Sequence, residues 1–265
     1  MDARRLPARH GILWLLAGFA LFRRHPPLMT ALTFGYLLTV LVVNLVPAIG
    51  PLILPLLLPT LTVMLANGCR AVERKQSFDS NTLGVGIGAQ RVGLLRLGIL
   101  HLVGSSLLVL ISGLALGEPI NLKDGMDADE AAAFVADMGV IVVLASPLLM
   151  AFWFAPLLTA WDGVSAGKSL FFSFVASWRN WRSFAMYGLA LALVGAVLPG
   201  LILIAAGAIS QSLLSILSVA LRMLLIFVLA PTMVASVYLS YRDVFAPPEP
   251  ASEPAPEPEP ARTDE

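Results

Sequence analysis

FAMYGLALALVGAVLPGLILIAAG, Phe184 to Gly207, runs for 24 residues without a charged side chain. At a rise of about 1.5 Å per residue it makes a helix about 36 Å long, enough to cross a hydrocarbon core of about 30 Å. In lipid, backbone N–H and C=O groups must pair within their own segment unless a barrel closes, and the alternation of a barrel strand is absent. The run therefore reads as a transmembrane helix, and that reading fixes the class of the whole chain.

Five further apolar runs flank it, at about 28–46, 52–67, 94–116, 131–161 and 213–238. Of the 265 residues, 58% are hydrophobic and only 13% charged, against about 25% charged in soluble domains. The expectation is an all-α integral membrane protein with six transmembrane helices in three hairpins. Ile12 to Phe22 is too short to span. It carries Trp14, Phe19 and Phe22 between arginines, which predicts a helix lying in the membrane interface. Arg23-Arg24 follow directly and no small-x-small site ends the run, so it does not read as a cleaved signal peptide. The organisation is a 1–27 interfacial segment, a 28–245 transmembrane domain and a 246–265 tail. The tail, Pro- and Glu-rich in PPEPASEPAPEPEPARTDE, is expected to be disordered.

Net charge is zero but unevenly spread. The N-terminus, residues 68–96, residues 162–183 and the C-terminal stretch from Arg242 hold fifteen of the seventeen Lys and Arg. Of the other two, Lys123 lies in the acidic loop 117–130 and Arg222 inside a span. By the positive-inside rule both termini are expected in the cytoplasm, with the acidic loop outside. Basic residues that follow topology in this way give no support to nucleic-acid binding. The single cysteine, Cys69, excludes an intrachain disulfide and a multi-Cys zinc site. No metal or cofactor is expected.

Between the fourth and fifth spans lies SFVASWRNWRSF, Ser173 to Phe184. With Phe171 added, Phe171, Phe174, Trp178 and Trp181 fall at i, i+3, i+7 and i+10, one aromatic stripe along a helix. Ser173, Ser177 and Asn180 form a small polar strip, and Arg179 and Arg182 lie on the polar side. Trp at headgroup level with Arg near lipid phosphates predicts a second interfacial helix, about 169–183. A plain anchor does not need the polar strip, so Ser173, Ser177 and Asn180 suggest a docking face for a lipid or a partner helix.

Two charges fall inside spans. Asp137 lies about 9 Å and Arg222 about 16 Å from the same outer face, at 1.5 Å per residue. A lone charge there costs at least about 2.5–3.5 kcal/mol. A pair locking spans four and six together is the expected use, and a proton or solute path the alternative. Asn44 and His101 are expected to form hydrogen bonds between helices. A weak repeat links LLPTLTVMLANGCR (57–70), FAPLLTAWDGVSAGK (154–168) and LAPTMVASVYLSYR (229–242). Each places a proline, Pro59, Pro156 or Pro231, eleven or twelve residues before a basic residue, which predicts kinks at similar depth.

Gly163-Val164-Ser165-Ala166-Gly167 matches the nucleophile-elbow pattern, but no strand precedes it and no partner base is evident among His10, His25 and His101. Gly84-Val85-Gly86-Ile87-Gly88-Ala89 lacks the strand and later acid of a dinucleotide site; it reads as a flexible hinge before span three. No catalytic residue is expected.

LPARHGILWLLAGFALFRRHP (6–26), SFVASWRNWRSFAMYG (173–188) and SYRDVF (240–245) resemble the conserved blocks of an uncharacterised family of bacterial six-span inner-membrane proteins. In plan the chain is similar to the YciC-type proteins and to the membrane domain joined to some glycerophosphodiester phosphodiesterases. The resemblance covers about residues 4–245. It implies an inner-membrane location and brings over no catalytic residue and no substrate; the phosphodiesterase domain itself is absent. The sequence favours a non-enzymatic adaptor or envelope-maintenance factor. Its partners would be membrane lipids and, through the tail, a cytoplasmic protein. The alternative is a small transporter or lipid-handling protein.

Overall fold

A computed structural model describes residues 3–117 and 128–245. The tail and most of the acidic loop, and the expectations attached to them, lie outside the described residues. The elements in order are α1 (His10–Phe22), α2 (Pro26–Asn44), α3 (Gly50–Glu73), α4 (Ser80–Gly84), α5 (Arg91–Leu116), α6 (Ala128–Trp153), α7 (Ala155–Asp162), α8 (Ala166–Arg179) and α9 (Trp181–Ala192). A π-helical turn, Leu193–Val197, leads into α10 (Leu198–Ile209); α11 (Gln211–Leu224) passes through a second, Leu225–Leu229, into α12 (Ala230–Phe245). No strand occurs among the described residues. Six helices are long and apolar enough to cross a membrane: Pro26–Asn44, Gly50–Glu73, Arg91–Leu116, Ala132–Asp162, Trp181–Ile209 and Gln211–Phe245. Each matches a span read from the sequence.

Burial is concentrated at one end of the bundle. Fully buried side chains come from α1, the C-terminal half of α3, the start of α5, α7, α8 and α12, whereas α11 and both π turns bury none. The core therefore lies at the end where the basic residues gather. The other halves of the spans expose apolar side chains such as Leu110, Leu114, Val143 and Ile204. On membrane-crossing helices those faces meet lipid, which is as apolar as they are, so nothing drives them together.

The first helix does not rest on the bundle as an interfacial anchor would. It packs along α9 and α12, with Trp14 1% exposed. Two glycines permit the approach. A Cβ on Gly11 would sit 2.1 Å from the Ser183 carbonyl oxygen, and one on Gly18 2.6 Å from that of Thr232. Phe19, farther along α1, shares an apolar groove with Val194 and Val228. The helix thus runs beside spans five and six for its whole length. Its mixed apolar and small composition does not distinguish burial in protein from burial in headgroups, which is why the sequence suggested the latter.

The three prolines behave differently. Pro59 is buried inside an unbroken α3, as is Pro55. Pro156 starts α7 after a break at Phe154. Pro231 opens α12 directly after a π turn, and Pro199 stands in the same relation to the first π turn. A proline ring clashes with the carbonyl four residues back, and widening the preceding turn relieves the clash. The supposed hinge is instead a packed turn: Gly86 has φ +80° and a Cβ there would meet the Ala160 carbonyl oxygen at 2.4 Å.

Candidate functional site

Ser173 is fully buried. Its hydroxyl accepts the Phe154 N–H at 2.9 Å and donates to the Met150 carbonyl at 2.8 Å. In an uninterrupted helix those two backbone groups would bond to each other. Ser173 has inserted into the ladder that breaks ahead of Pro156. Ser177 adds a second donor to the same carbonyl at 3.2 Å. Asn180 donates to the carbonyls of Arg4 and Ala176, both at 2.9 Å, and accepts the Leu6 N–H at 2.8 Å. Arg4 in turn donates its N–H to Val244 at 2.9 Å. The polar strip is thus not a face awaiting a ligand. It repairs span four and ties the N-terminal stretch down. The aromatic stripe faces away, with Phe171, Trp178 and Trp181 exposed and Phe174 partly so, as are Arg179 and Arg182.

The three proline-marked segments meet in a polar plate at the basic end. From the first, Asn67 is buried; its amide donates to the carbonyls of Leu83 and Val85 at 2.8 and 2.9 Å, which fixes its oxygen toward the Trp161 indole N–H at 3.0 Å. From the second come Trp161, beneath the Arg70 guanidinium at 4.5 Å, and Asp162. From the third, Tyr241 donates its hydroxyl to Asp162 and Tyr238 to Glu73. Arg242 pairs with Glu73 and, at 2.8 Å, with Asp243, whose other oxygen accepts the Trp14 indole N–H at 3.1 Å. The Tyr238 and Tyr241 rings stand edge-on to Trp161. Each carboxylate here receives a phenol, an indole or a guanidinium, an arrangement suited to holding helix ends in register. Sequence reasoning singled out the block SYRDVF (240–245), which holds Tyr241, Arg242 and Asp243, but not the plate. The one available signal was the common spacing of the three segments.

Above the plate is a partly open cavity of about 250 Å³. Tyr36, Thr62, Ala66, Trp153, Tyr187 and Tyr238 contribute to its lining, from α2, α3, α6, α9 and α12, and its surface is mostly apolar. Few polar groups on an aromatic, apolar wall is the usual make-up of a small-molecule site. Trp153 and Tyr238 belong to both features: Trp153 donates to Ser240 at 3.1 Å while lining the cavity.

Asp137 and Arg222 are not brought together. Arg242, not Arg222, is the arginine of span six that pairs with carboxylates, Glu73 and Asp243. Asp137 is half-buried on α6, which packs on α5 and α8; Arg222 is exposed on α11, which packs on α10. Spans four and six are joined instead at the basic end, by Trp153 to Ser240 and Tyr241 to Asp162. The cavity does not include Asp137 in its lining. Nor do Asn44 and His101 form hydrogen bonds between helices: Asn44 donates to Val40 on its own helix at 2.8 Å, and His101 meets α6 through its ring, edge-on to Phe152 at 4.7 Å. Ser165 lies between two helices, after Gly163 at φ +66°, and not on a strand-to-helix elbow.

The chain is 35% identical over 213 residues to a probable inner membrane protein of Burkholderia thailandensis, an alignment covering 73% of this chain and 77% of that protein. It belongs to the family of that protein, and with six membrane-capable helices it is a multi-pass inner-membrane protein. No family model matches the chain. No solved structure matches it.

Proposed function

We propose that this inner-membrane protein is a non-catalytic lipid-handling protein that holds an amphiphile in the cavity between α2, α3, α6, α9 and α12. One observation carries the reading: a mostly apolar cavity opens among membrane-spanning helices and is floored by a fixed polar plate. An apolar chain gains by entering such a space, and the Tyr36 hydroxyl and the accepting side of the Thr62 oxygen are the polar groups left to orient it. Both termini and the plate are taken to face the cytoplasm, because the plate lies where the Lys- and Arg-rich segments end. The polar strip offers a docking face to neither a partner helix nor a lipid, since Ser173, Ser177 and Asn180 are spent on intrachain hydrogen bonds.

The test is native mass spectrometry of the protein extracted gently from its own membrane, beside an Ala66→Phe variant. Ala66 is 4% exposed and lines the cavity, so the added ring occupies the space a ligand would take. A retained lipid in the parent and its loss in the variant is the expected result. Equal retention in both, or a co-purifying protein at fixed stoichiometry in place of lipid, would return the adaptor reading.

A further inference from the structure

A second cavity, of about 630 Å³, lies where the elbow between α1 and α2 meets the end of α3. Arg24, His25 and Lys75 line it together with Leu28, Val72 and Phe78. The basic residues are exposed, Val72 is buried and Phe78 is 38% exposed. A cationic rim is thus joined to an apolar wall.

Arg24 and Lys75 are uncommitted, whereas the His25 Nδ1 accepts the Leu28 N–H at 3.4 Å as the cap of α2 and leaves only its other ring nitrogen for a ligand. Among the described residues neither Arg24 nor Lys75 has an ion-pair partner, and the nearest carboxylate in sequence, Glu73, is held by Tyr238 and Arg242. The backbone at Lys75 is unusual as well. The end of α3 closes with Gln76 N–H on the Ala71 carbonyl at 3.0 Å and Lys75 N–H on Val72 at 3.3 Å. That is the helix-ending motif in which glycine normally takes the left-handed position. Here the position belongs to Lys75, at φ +53°. Such a conformation disfavours a side chain, so Lys75 is kept at some loss to the fold. Topology alone asks only for positive charge on this side of the membrane. It does not ask for a lysine at a strained position beside a concave surface.

We infer that this cavity binds the phosphate of an anionic phospholipid, the charge resting between Arg24, His25 and Lys75 and the glycerol and upper acyl carbons lying against Leu28, Val72 and Phe78. Arginine and lysine near the membrane surface are suited to headgroup phosphates, and no part of the site overlaps the lining of the cavity proposed for the amphiphile.

The test is the thermal unfolding of detergent-solubilised full-length protein, titrated with phosphatidylglycerol, phosphatidylcholine or inorganic phosphate. Phosphatidylglycerol is expected to raise the melting temperature saturably and phosphatidylcholine not to. Lys75→Gly separates site from fold, since it removes the charge and relieves the backbone. It should melt no lower than the parent without lipid, yet need at least about tenfold more phosphatidylglycerol for the same shift, as should Arg24→Gln. Parent-like titration of both variants, or equal response to the two lipids, would overturn the site. A full response to inorganic phosphate with nothing further from phosphatidylglycerol would overturn the lipid assignment in favour of free phosphate. Ala66→Phe should titrate as the parent does, so failure of the cavity reading leaves this one standing, and the reverse.

Discussion

Replacing Ser173 by Ala asks whether the polar strip of α8 serves the fold or an outside ligand. The site is fully buried, so water cannot replace the hydroxyl. The Phe154 N–H loses its only acceptor, whereas the Met150 carbonyl keeps Ser177 at 3.2 Å. A buried donor left unpaired costs about 1–3 kcal/mol. Even 1–2 kcal/mol changes the folded-to-unfolded ratio by a factor of about 5–30. Reversible unfolding in mixed micelles, followed by Trp fluorescence, measures the difference. Pro156→Ala sharpens the test. Without the ring, the helix can close its own ladder across Phe154, and Ser173 is no longer needed to patch it. Ser173→Ala should then cost less in the Pro156→Ala background, with a coupling of about 1 kcal/mol between the sites. A Ser173→Ala variant as stable as the parent, or full additivity with Pro156→Ala, would refute the reasoning and restore the strip as a docking face.

Gly11→Ala should destabilise by about 1–3 kcal/mol through overpacking against the backbone of α9, whereas Gly35→Ala, with nothing within 4 Å, should leave the melting temperature unchanged or raised; thermal melts of the two in one detergent decide it. Asp137→Asn and Arg222→Leu, singly and together, should shift stability by less than about 1 kcal/mol and show no coupling in a double-mutant cycle, because the two residues sit on helices that do not pack together. Asp79 caps α4 by accepting from the Thr82 hydroxyl and N–H at 2.6 and 2.7 Å, and those bonds hold its carboxyl below the usual range. The cap is therefore complete above about pH 4, the ordinary Asp value. It is lost as pH falls through the lowered one, and hydrogen exchange of the Thr82 amide, relative to its intrinsic rate, should rise in that window.

What the sequence made legible was set by length and charge. Six apolar runs, each with at most one charged side chain, read as spans, and each lies in a helix long and apolar enough to cross a membrane. Interior contacts were less legible, because lipid and protein are equally apolar surroundings. The pattern of α1 reads the same whether Trp14 lies in headgroups or against Phe184, its actual neighbour at 5.4 Å. The small polar residues misled in a related way. Ser173 and Asn180 looked like surplus polarity on an anchor, and only the break at Phe154 and the course of residues 4–6 show what they satisfy. Asp137 and Arg222 were compared by depth alone, and depth says nothing about which helices are neighbours. The proline-to-basic spacing did point to something shared, since Asn67, Asp162 and Tyr241 converge.

The most direct test of the account places a photoreactive benzoyl-phenylalanine at Met233, which lines the cavity, and irradiates intact cells. If the cavity holds an amphiphile, the mass of the purified protein increases by that of a lipid, and the adduct disappears when Ala66→Phe is added. A crosslink to another protein, or none beyond what the exposed Leu114 position gives, would contradict it.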